Sequence, residues 1–209
     1  MLSPKNNTAK SLKSLKSEET ERKIFYQGLK LFLKKGYHGT SIDDITRSAG
    51  VTKGALYWHF KSKEELLEKI VKEFEKSFID KMIEVVGKID EGPLEKIEKY
   101  IRFNSAFAYY NPELCVSFTT LAAELVGAHL IKGEIKRIYK KYQNFLSDII
   151  REGRRKKVFK KRIDPELTAL LIIAFHDGIL HQWWMNKNHI DGKAYVNLFK
   201  TIILNGLKA

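Results

Sequence analysis

The sequence predicts an all-α chain: an N-terminal three-helix unit with a helix-turn-helix, then a C-terminal helical bundle, with about nine helices in total. Apolar residues recur at intervals of three and four along most of the 209 residues, as they do on the buried face of a helix. Helix-capping residues stand where these repeats begin, and Gly or Pro stands where many of them end. No stretch alternates as a half-buried strand would, and only 4 prolines are present.

The first helix is predicted between two local signals. Ser17 is placed to cap its start, and Gly36 is placed to end it. Its inward face is expected to consist of Ile24, Phe25, Gly28, Leu31 and Phe32. The preceding residues 1–17 are polar and rich in lysine, so they are predicted to form a flexible basic tail.

A helix-turn-helix is predicted at residues 41–60. Ser41 can cap its first helix, and Asp44 three residues later completes a capping box. Gly50 ends that helix, because glycine adopts the left-handed backbone conformation without a Cβ penalty. Thr52 can then cap the second helix. On that helix Leu56 and Phe60 form the buried face.

The opposite face of the second helix carries Gly54 and Trp58, with Lys53 and Tyr57 on one flank. A helix that only packs in a core would not place such residues outward by preference. A helix that presses its backbone and polar tips against a phosphate surface would. Helix, short turn and helix is the arrangement in which the second helix enters the DNA major groove.

These residues resemble the N-terminal DNA-binding domain of the TetR/AcrR family of transcriptional regulators. The resemblance covers roughly residues 18–78, and the run GVTKGALYWHF is especially similar to the family's drug-efflux repressors. The matching positions are Thr40, Ile45, Ala49, Gly50, Val51, Gly54, Leu56, Tyr57, His59, Phe60, Lys63, Glu64 and Leu66. Thr46 departs from the pattern, because the family usually has alanine there, which slightly loosens the packing between the helices.

The resemblance implies a homodimer whose two reading helices enter successive major grooves about 34–36 Å apart on a pseudo-palindromic operator. DNA contacts, mostly to phosphates, are expected from Thr40, Ser41, Thr52, Tyr57, His59 and Lys61. Gly54 would let the backbone approach, while Lys53 and Trp58 would read bases. Residues 1–61 hold 12 of the 38 basic side chains but only 5 of the 25 acidic ones, which suits phosphate neutralisation.

The rest of the chain, residues 79–209, is predicted to be an effector-binding and dimerisation domain. A long fourth helix from Ser62 to about Val86 would connect it to the DNA-binding domain. Five further helices are predicted at about 94–110, 112–130, 132–155, 165–184 and 193–207. The helix at 112–130 is unusually apolar, and the others carry apolar residues at helical spacing, as helices of a bundle do.

Aromatic side chains are numerous in these helices. Ordinary core packing is the better explanation of any single one, but together, and with the family resemblance, they predict an apolar pocket for a small hydrophobic effector. The candidates are Phe103, Phe107, Tyr110, Phe118, His129, Tyr142, Phe145, Phe175, His176 and Trp183. The two histidines would orient the ligand or form structural hydrogen bonds. A drug, a fatty acid or acyl-CoA, and an aromatic metabolite all fit such a pocket.

The last two helices are predicted to form the dimer interface as half of a four-helix bundle. Ala174 and Gly178 are four residues apart and would allow a second helix to approach closely. Leu198, Phe199, Ile202 and Ile203 supply an apolar stripe near the end of the chain. Burial of both stripes within one protomer is the alternative.

Two basic segments allow two interpretations each. The tail is either an arm that touches DNA or a solvated terminus. Residues 154–162 contain seven basic side chains, and they form either a solvated loop or a site for an anion, such as the phosphates of an acyl-CoA.

Several classes of protein are disfavoured. The six histidines are scattered, Cys115 is alone, and no phosphate-binding glycine loop or nucleophile elbow occurs, so neither catalytic nor metal-binding residues are predicted. No apolar run approaches the ~20 residues of a membrane span, and a cytoplasmic protein is expected. The sequence therefore predicts a ligand-released homodimeric repressor; the alternative is a helical ligand-binding or scaffold protein without operator binding.

Overall fold

The computed structural model describes residues 12–87, 91–127 and 132–209, and these residues are helical apart from short connections. The α-helices are α1 Leu12–Lys35, α2 Ile42–Ala49, α3 Lys53–His59, α4 Lys63–Phe74, α5 Lys81–Gly87, α6 Pro93–Tyr110, α7 Pro112–Gly127, α8 Lys132–Arg155, α9 Pro165–Met185 and α10 Gly192–Leu207. A π-helical segment, Glu75–Asp80, joins α4 to α5 without a break. If α4, the π-helical segment and α5 are counted as one helix, the described ranges contain nine continuous helices. This confirms the predicted all-α class.

The chain divides into two compact units, Met1–Ile70 and Val71–Ala209. In the N-terminal unit α1, α2 and α3 pack on one another around a core of fully buried side chains. These are Ile24, Phe32, Ile45, Leu56, Phe60, Leu66 and Leu67. Burial of this many large apolar groups stabilises a unit in which α2 and α3 are too short to persist alone in water.

The ends of α2 and α3 follow local sequence signals. The Ser41 hydroxyl accepts a hydrogen bond from the Asp44 amide at 3.1 Å, and the Ser41 amide donates to the Asp44 carboxylate at 3.2 Å. This reciprocal pair is the predicted capping box. Gly50 ends α2 with a φ of 66°, which favours glycine. The Thr52 hydroxyl accepts from the Ala55 amide at 3.1 Å and starts α3.

The start of α1 differs from the prediction. The helix already includes Leu12, so Ser17 lies inside it and does not cap it. No helix-breaking residue lies between them, and the lysines there favour helix. The prediction of a flexible tail falls partly on this helix and partly on residues 1–11, which lie outside the described residues.

The predicted long fourth helix is interrupted by the π-helical segment. Its first residue, Glu75, is buried and accepts hydrogen bonds from Arg137 at 2.8 and 2.5 Å and from Lys141 at 3.1 Å. Both cations lie on α8, far away in sequence. The spacing of residues along one helix therefore could not reveal the π-helical segment. Segments of this kind recur at functional sites.

In the C-terminal unit, α8 and α9 form the most extensive helix pair, and α6 packs against α5, α7, α8 and α10. The core contains one buried polar cluster. The hydroxyls of Tyr100 and Tyr142 are 2.5 Å apart, and the Tyr142 hydroxyl donates to the Asn104 side-chain oxygen at 3.3 Å. Because these groups satisfy one another, the cluster fixes the register of α6 against α8.

Candidate nucleic-acid interface and apolar cavities

The two faces of α3 differ sharply in burial. Leu56 is fully buried and Phe60, which follows the helix, is 1% exposed. On the other side Trp58 is 82% exposed and Tyr57 is 51% exposed. Large aromatic side chains on the surface of a folded unit are costly to hydrate and are common in binding surfaces. The structure therefore presents α3 as a helix with one anchoring face and one free face.

Gly54 lies on the exposed side of α3. A Cβ added there would meet only the Thr52 hydroxyl oxygen, at 3.8 Å, so packing inside the chain does not require glycine. The backbone at this position is instead accessible from outside. This suits a surface that a phosphate backbone approaches closely.

Lys53, at the start of α3, forms an ion pair with Asp43 of α2, with 2.6 Å between Nζ and the carboxylate oxygen. The hydrogen bond and the charge of Asp43 raise the pKa of Lys53 above its ordinary value. Both side chains are exposed, so the pair adds little stability. To contact DNA, Lys53 would exchange this carboxylate for a base or a phosphate.

Two of the predicted contact residues face inward, so the structure contradicts direct DNA contact by their side chains. Thr40 is 1% exposed, and its hydroxyl donates to the carbonyl of Gly36 at 2.8 Å. The His59 side chain is 9% exposed, with Nδ1 3.9 Å from the Glu21 carboxylate of α1. Both residues match the family pattern, but such a match does not say whether a side chain contacts DNA or packs inside the protein. The predicted residues that are exposed are Ser41, Thr52, Lys53, Gly54, Tyr57, Trp58 and Lys61.

Lys63, the first residue of α4, holds the segment between α1 and α2. Its Nζ donates to the carbonyls of Tyr37 and Thr40, both at 2.9 Å, and lies 4.1 Å from the centre of the Tyr37 ring. Hydrogen bonds from a charged donor are stronger than neutral ones. The side chain thus fixes the loop that positions Ser41 at the start of α2.

The C-terminal unit contains a narrow cavity of about 40 Å³, here called the inner cavity. It lies between the π-helical region, α7, α8 and α9. Its lining is mostly aromatic and aliphatic: Phe74, Phe78, Ile79, Cys115, Phe118, Thr119, Ile138, Tyr139, Tyr142, His176, Asp177 and Leu180. Apolar pockets with few polar groups are the usual form of a small-molecule site.

A second cavity of about 90 Å³, the outer cleft, lies between α6, α9 and α10. Its lining is Ser105, Ala108, Tyr109, His176, Ile179, Leu180, Trp183, Gly192, Tyr195, Val196 and Phe199. His176 and Leu180 line both cavities, so these two side chains stand between them. Movement of either would enlarge the available space.

The structure places the predicted pocket residues in different surroundings. Phe118, Tyr142 and His176 line the inner cavity, and Trp183 lines the outer cleft. Phe103 and Phe107 pack against Phe78, at ring-centre distances of 6.0 and 4.6 Å, and are half-buried outside both linings. His129 lies outside the described residues.

Three further candidates do not belong to either lining. Phe145 packs beside Gly87, with 3.7 Å between its Cε2 and the position of an added Cβ. Tyr110 is 79% exposed and stacks edge-on with Tyr109, and Phe175 is 50% exposed on α9. Their aromatic character predicted burial, but the packing of α6 and α9 turns these two side chains to the surface.

Sequence reasoning missed several lining residues. Phe74 and Phe78 lie four residues apart within the predicted fourth helix, a spacing that is typical of an ordinary buried stripe, and Tyr139 lies three residues before Tyr142. Burial, with the charge of Asp177 as the second cause, raises the pKa values of Cys115 and Tyr139 to about 12. Both groups are therefore neutral at physiological pH. Asp177 gave no sequence signal, since a single carboxylate on a helix is usually solvated.

The predicted dimer residues also separate into two groups. Phe199 and Ile203 are buried within the protomer itself, so they face inward. Ala174 and Gly178 on α9, and Leu198 and Ile202 on α10, are exposed. They are joined on the surface of α9 by other exposed apolar side chains: Leu167, Leu170, Leu171, Phe175 and Met185.

The basic stretch 154–162 follows α8 and packs beside the end of α10. The Lys160 side chain is structural, because its Nζ donates to the carbonyls of Asn205 and Gly206, both at 3.0 Å. Other cations border a shallow open cleft lined by Arg151, Arg154, Arg155, Lys157, Phe159, Lys161 and Ala209. Its openness to solvent suits a hydrated cationic surface better than a closed anion site.

Other kinds of site were sought in the same ranges. Among the described residues, no group of three or more His, Cys, Asp or Glu side chains is placed to hold a metal ion. In those ranges, too, no helix has the length and apolar character needed to cross a membrane.

Two family models together match nearly the whole described chain. The model of bacterial regulatory proteins of the tetR family matches residues 24–70. The model of the C-terminal region of YsiA-like proteins matches residues 71–206. The boundary between them coincides with the division of the structure after Ile70.

Similar proteins agree with these models. The fatty acid metabolism regulator protein of Bacillus subtilis is 27% identical over 185 residues, covering 88% of this chain and 93% of its own. The transcriptional regulator AcrR of Shigella flexneri is 24% identical over 195 residues, covering 90% and 89%. The crystal structure of the MbdR regulator from Azoarcus sp. CIB superposes with a TM-score of 0.78 at 26% identity, covering 91% of this chain and 100% of that one. With its exposed α3, its matched domains and these relatives, the chain belongs to the tetR family of bacterial regulatory proteins and is a DNA-binding transcriptional regulator.

Proposed function

We propose that two copies of this chain form a repressor that binds a pseudo-palindromic operator and is released by a small hydrophobic effector. The observation that carries the proposal is α3: its buried face anchors it through Leu56, while Tyr57 and Trp58 stand exposed. In a helix-turn-helix this face enters the major groove. A matching second copy would present the same face one helical turn away.

On the exposed side of the motif we assign two kinds of contact. Ser41, Thr52, Tyr57 and Lys61 hold phosphates and set the position of the unit. Lys53 and Trp58 contact base edges, Lys53 through guanine acceptors and Trp58 through a thymine methyl group. The Gly54 backbone lies closest to the DNA. With so few base contacts, DNA shape contributes to specificity.

Substitutions on α3 test this assignment. Tyr57→Ala and Lys53→Ala are each expected to weaken DNA binding about tenfold or more, because each removes a contact worth about 1–3 kcal/mol. The probe is a duplex enriched from a random pool by the wild-type protein, and binding is measured by fluorescence anisotropy at several salt concentrations. In Lys53→Ala the DNA affinity should also fall less steeply as the salt concentration rises, because binding then releases fewer counterions from the DNA.

Tyr26→Ala is the matched control. Tyr26 is also an exposed tyrosine of the N-terminal unit, at 58%, but it lies on α1. It should leave DNA affinity unchanged. If Tyr57→Ala and Lys53→Ala bind the duplex as tightly as Tyr26→Ala and the wild type do, α3 does not contact the DNA.

The homodimer is supported by the apolar surface of α9 and α10. Seven apolar side chains that are at least 47% exposed lie on these two helices: Leu167, Leu170, Leu171, Phe175, Met185, Leu198 and Ile202. Exposed apolar side chains in such number are typical of an interface. Gly178 adds a place for close approach, since a Cβ there would meet nothing within 4 Å inside the protomer. Two such helices from each copy form a four-helix bundle.

Ile202→Glu is expected to convert the dimer to a monomer, because it places a charge in the apolar interface. Sedimentation velocity measures the change, and circular dichroism checks that the fold is retained. Asn144→Glu, at an exposed position of α8, should remain dimeric. A wild-type protein that sediments as a monomer would rule out the dimer.

The effector is proposed to bind in the inner cavity. Its 40 Å³ holds only about three water molecules, so binding must displace side chains such as Phe74 and Phe78. These residues belong to the helix that starts as α4, so displacement would act on the DNA-binding unit along the chain. The coupling is expected to be about 1–3 kcal/mol and reciprocal, so DNA should weaken effector binding by the same factor.

The class of effector remains a choice among a drug, a fatty acid or acyl-CoA, and an aromatic metabolite. The name of the B. subtilis relative connects that protein to fatty acid metabolism, which supports an acyl compound. The aromatic lining of the inner cavity is compatible with each class.

A further inference from the structure

The inner cavity has one acidic side chain in a lining that is mostly aromatic and aliphatic, with Thr119, Tyr139, Tyr142 and His176 as its other polar residues. Asp177 of α9 lines it together with Phe74, Phe118, Tyr139 and Leu180. No lysine or arginine of the described chain belongs to this lining. A carboxylate in such surroundings sets a preference for the charge of whatever enters, since charge interactions strengthen where water is excluded.

The side chain of Asp177 makes few polar contacts with the rest of the described chain. Its carboxylate accepts no hydrogen bond from the described residues, and its ionic neighbour there is His176, with 3.7 Å between Nδ1 and Oδ1. The backbone carbonyl of Asp177, not its side chain, accepts the hydrogen bond from His181 Nδ1 at 2.8 Å. The Asp177 side chain is 32% exposed, so it keeps access to solvent while it borders the cavity.

The field of Asp177 reaches the cavity wall. Its negative charge is a cause of the raised pKa values of Cys115, Tyr139 and Tyr142, after burial as the main cause. These three groups lie on α7 and α8, across from α9. Because the thiol and the hydroxyls remain protonated at neutral pH, Asp177 is the only negatively charged side chain among the described residues of this lining.

The aromatic rings of the lining add to this preference. Phe74 and Phe118 are stacked, with ring centres 3.5 Å apart and an angle of 13° between planes, and Phe78 lies 5.2 Å from Phe74. The faces of aromatic rings attract cations and repel anions. A ring face that borders the cavity would therefore favour the same sign of charge as the carboxylate does.

We infer that the effector is a hydrophobic cation, an amine or ammonium compound whose charge pairs with Asp177 and whose apolar part lies among the rings. The inference rests on the proposed effector site and selects one chemical class for it. It opposes a fatty acid with its carboxylate in this cavity, because two carboxylates would then share an apolar space.

Three compounds with one apolar chain and different head groups test the inference: decylamine as cation, decanol as neutral molecule and decanoate as anion. Isothermal titration calorimetry measures their binding to the full-length protein at pH 7, below their aggregation concentrations. Decylamine is expected to bind about tenfold tighter than decanol, and decanoate about tenfold weaker. Decylamine should also release the enriched DNA duplex at the lowest concentration.

Asp177→Asn keeps the size of the side chain and removes its charge. It should abolish the advantage of decylamine over decanol and leave the affinity for decanol unchanged. Asp148→Asn is the matched control, since Asp148 is an exposed aspartate of α8 outside the lining, and it should retain the advantage. Urea unfolding of both variants verifies that each is folded.

The outcomes separate the two proposals. Equal affinities for the three compounds, tightest binding of decanoate, or an unchanged preference in Asp177→Asn would each overturn the charge assignment while the effector site stands. Failure of all three to bind would overturn both. Binding of decylamine without release of DNA would support the charge assignment and contradict the proposed release mechanism.

Discussion

Replacing Gly153 with alanine is expected to destabilise the C-terminal unit by about 3 kcal/mol. The added Cβ would lie 2.6 Å from Cγ of Phe159 and closer still to two other carbons of that ring. Phe159 is 1% exposed, so its ring would have to leave a buried position to relieve the clash. Equilibrium unfolding in urea measures the loss as a lower midpoint at constant slope.

The backbone around Phe159 also resists adjustment. The Phe159 amide donates to the Gly153 carbonyl at 3.1 Å, and the Lys160 amide donates to the Leu207 carbonyl at 2.9 Å. These bonds tie the turn after α8 to the end of α10. A clash at Gly153 therefore cannot be relieved by shifting the turn alone.

Gly133→Ala is the matched control, because Gly133 lies on the same helix and an added Cβ there meets nothing within 4 Å. It is expected to leave stability unchanged or raise it by up to about 1 kcal/mol through helix propensity. The double variant Gly153→Ala/Phe159→Ala should be less destabilised than the sum of its single changes. A Gly153→Ala protein as stable as wild type would show that the close packing of Phe159 is not required.

Acid is expected to weaken the C-terminal unit through Glu75. Hydrogen bonds from Arg137, with those of Lys141 and the charges of both, lower the pKa of Glu75 from 4.5 to about 2. A lowered folded-state pKa stabilises the fold above the unfolded value and loses this contribution as the pH falls through the folded value. The contribution of Glu75 is thus complete above about pH 5 and is lost between about pH 4.5 and 2, amounting to about 3 kcal/mol.

Glu75→Gln should lower the free energy of unfolding at pH 7 by a few kcal/mol, on the order of the figure above, because it removes the charge that Arg137 and Lys141 bind. The difference between wild type and variant should shrink as the pH is lowered to about 3, measured by urea unfolding at each pH. Glu84→Gln, an exposed glutamate paired with Lys81, is the control and should cost under about 1 kcal/mol. A difference that is independent of pH would contradict the role assigned to the Glu75 charge.

The helix-turn-helix could be predicted well because its signals are local. The capping box of Ser41 and Asp44, the left-handed Gly50 and the Thr52 cap each act within four residues, so neighbouring letters suffice to identify them. Asp164 before Pro165 marks the start of α9 in the same way. The inward direction of Leu56 and the outward direction of Trp58 also follow from the helical period of a single short helix.

The cavity and the interface could be predicted only in part, because helix periodicity does not say which stripe faces the protein interior. Helix α9 is apolar on several sides, so Phe175 looked like a pocket residue although it is exposed. On α10 the adjacent Ile202 and Ile203 face opposite environments, one exposed and one buried. The neighbouring helices determine which side of α9 and of α10 is buried.

The sequence by itself determined the helices of this protein, their caps and the two faces of its reading helix, since these depend on interactions between residues close in the chain. Only the tertiary structure decided that Thr40 and His59 face inward, that Glu75 meets Arg137 in a π-helical turn, and that Asp177 borders an aromatic cavity. The Thr40 hydroxyl bonds to Gly36 only four residues away, but the other side chains meet partners tens of residues away. The packing of one helix on another sets such distances, and no local pattern of residues encodes them.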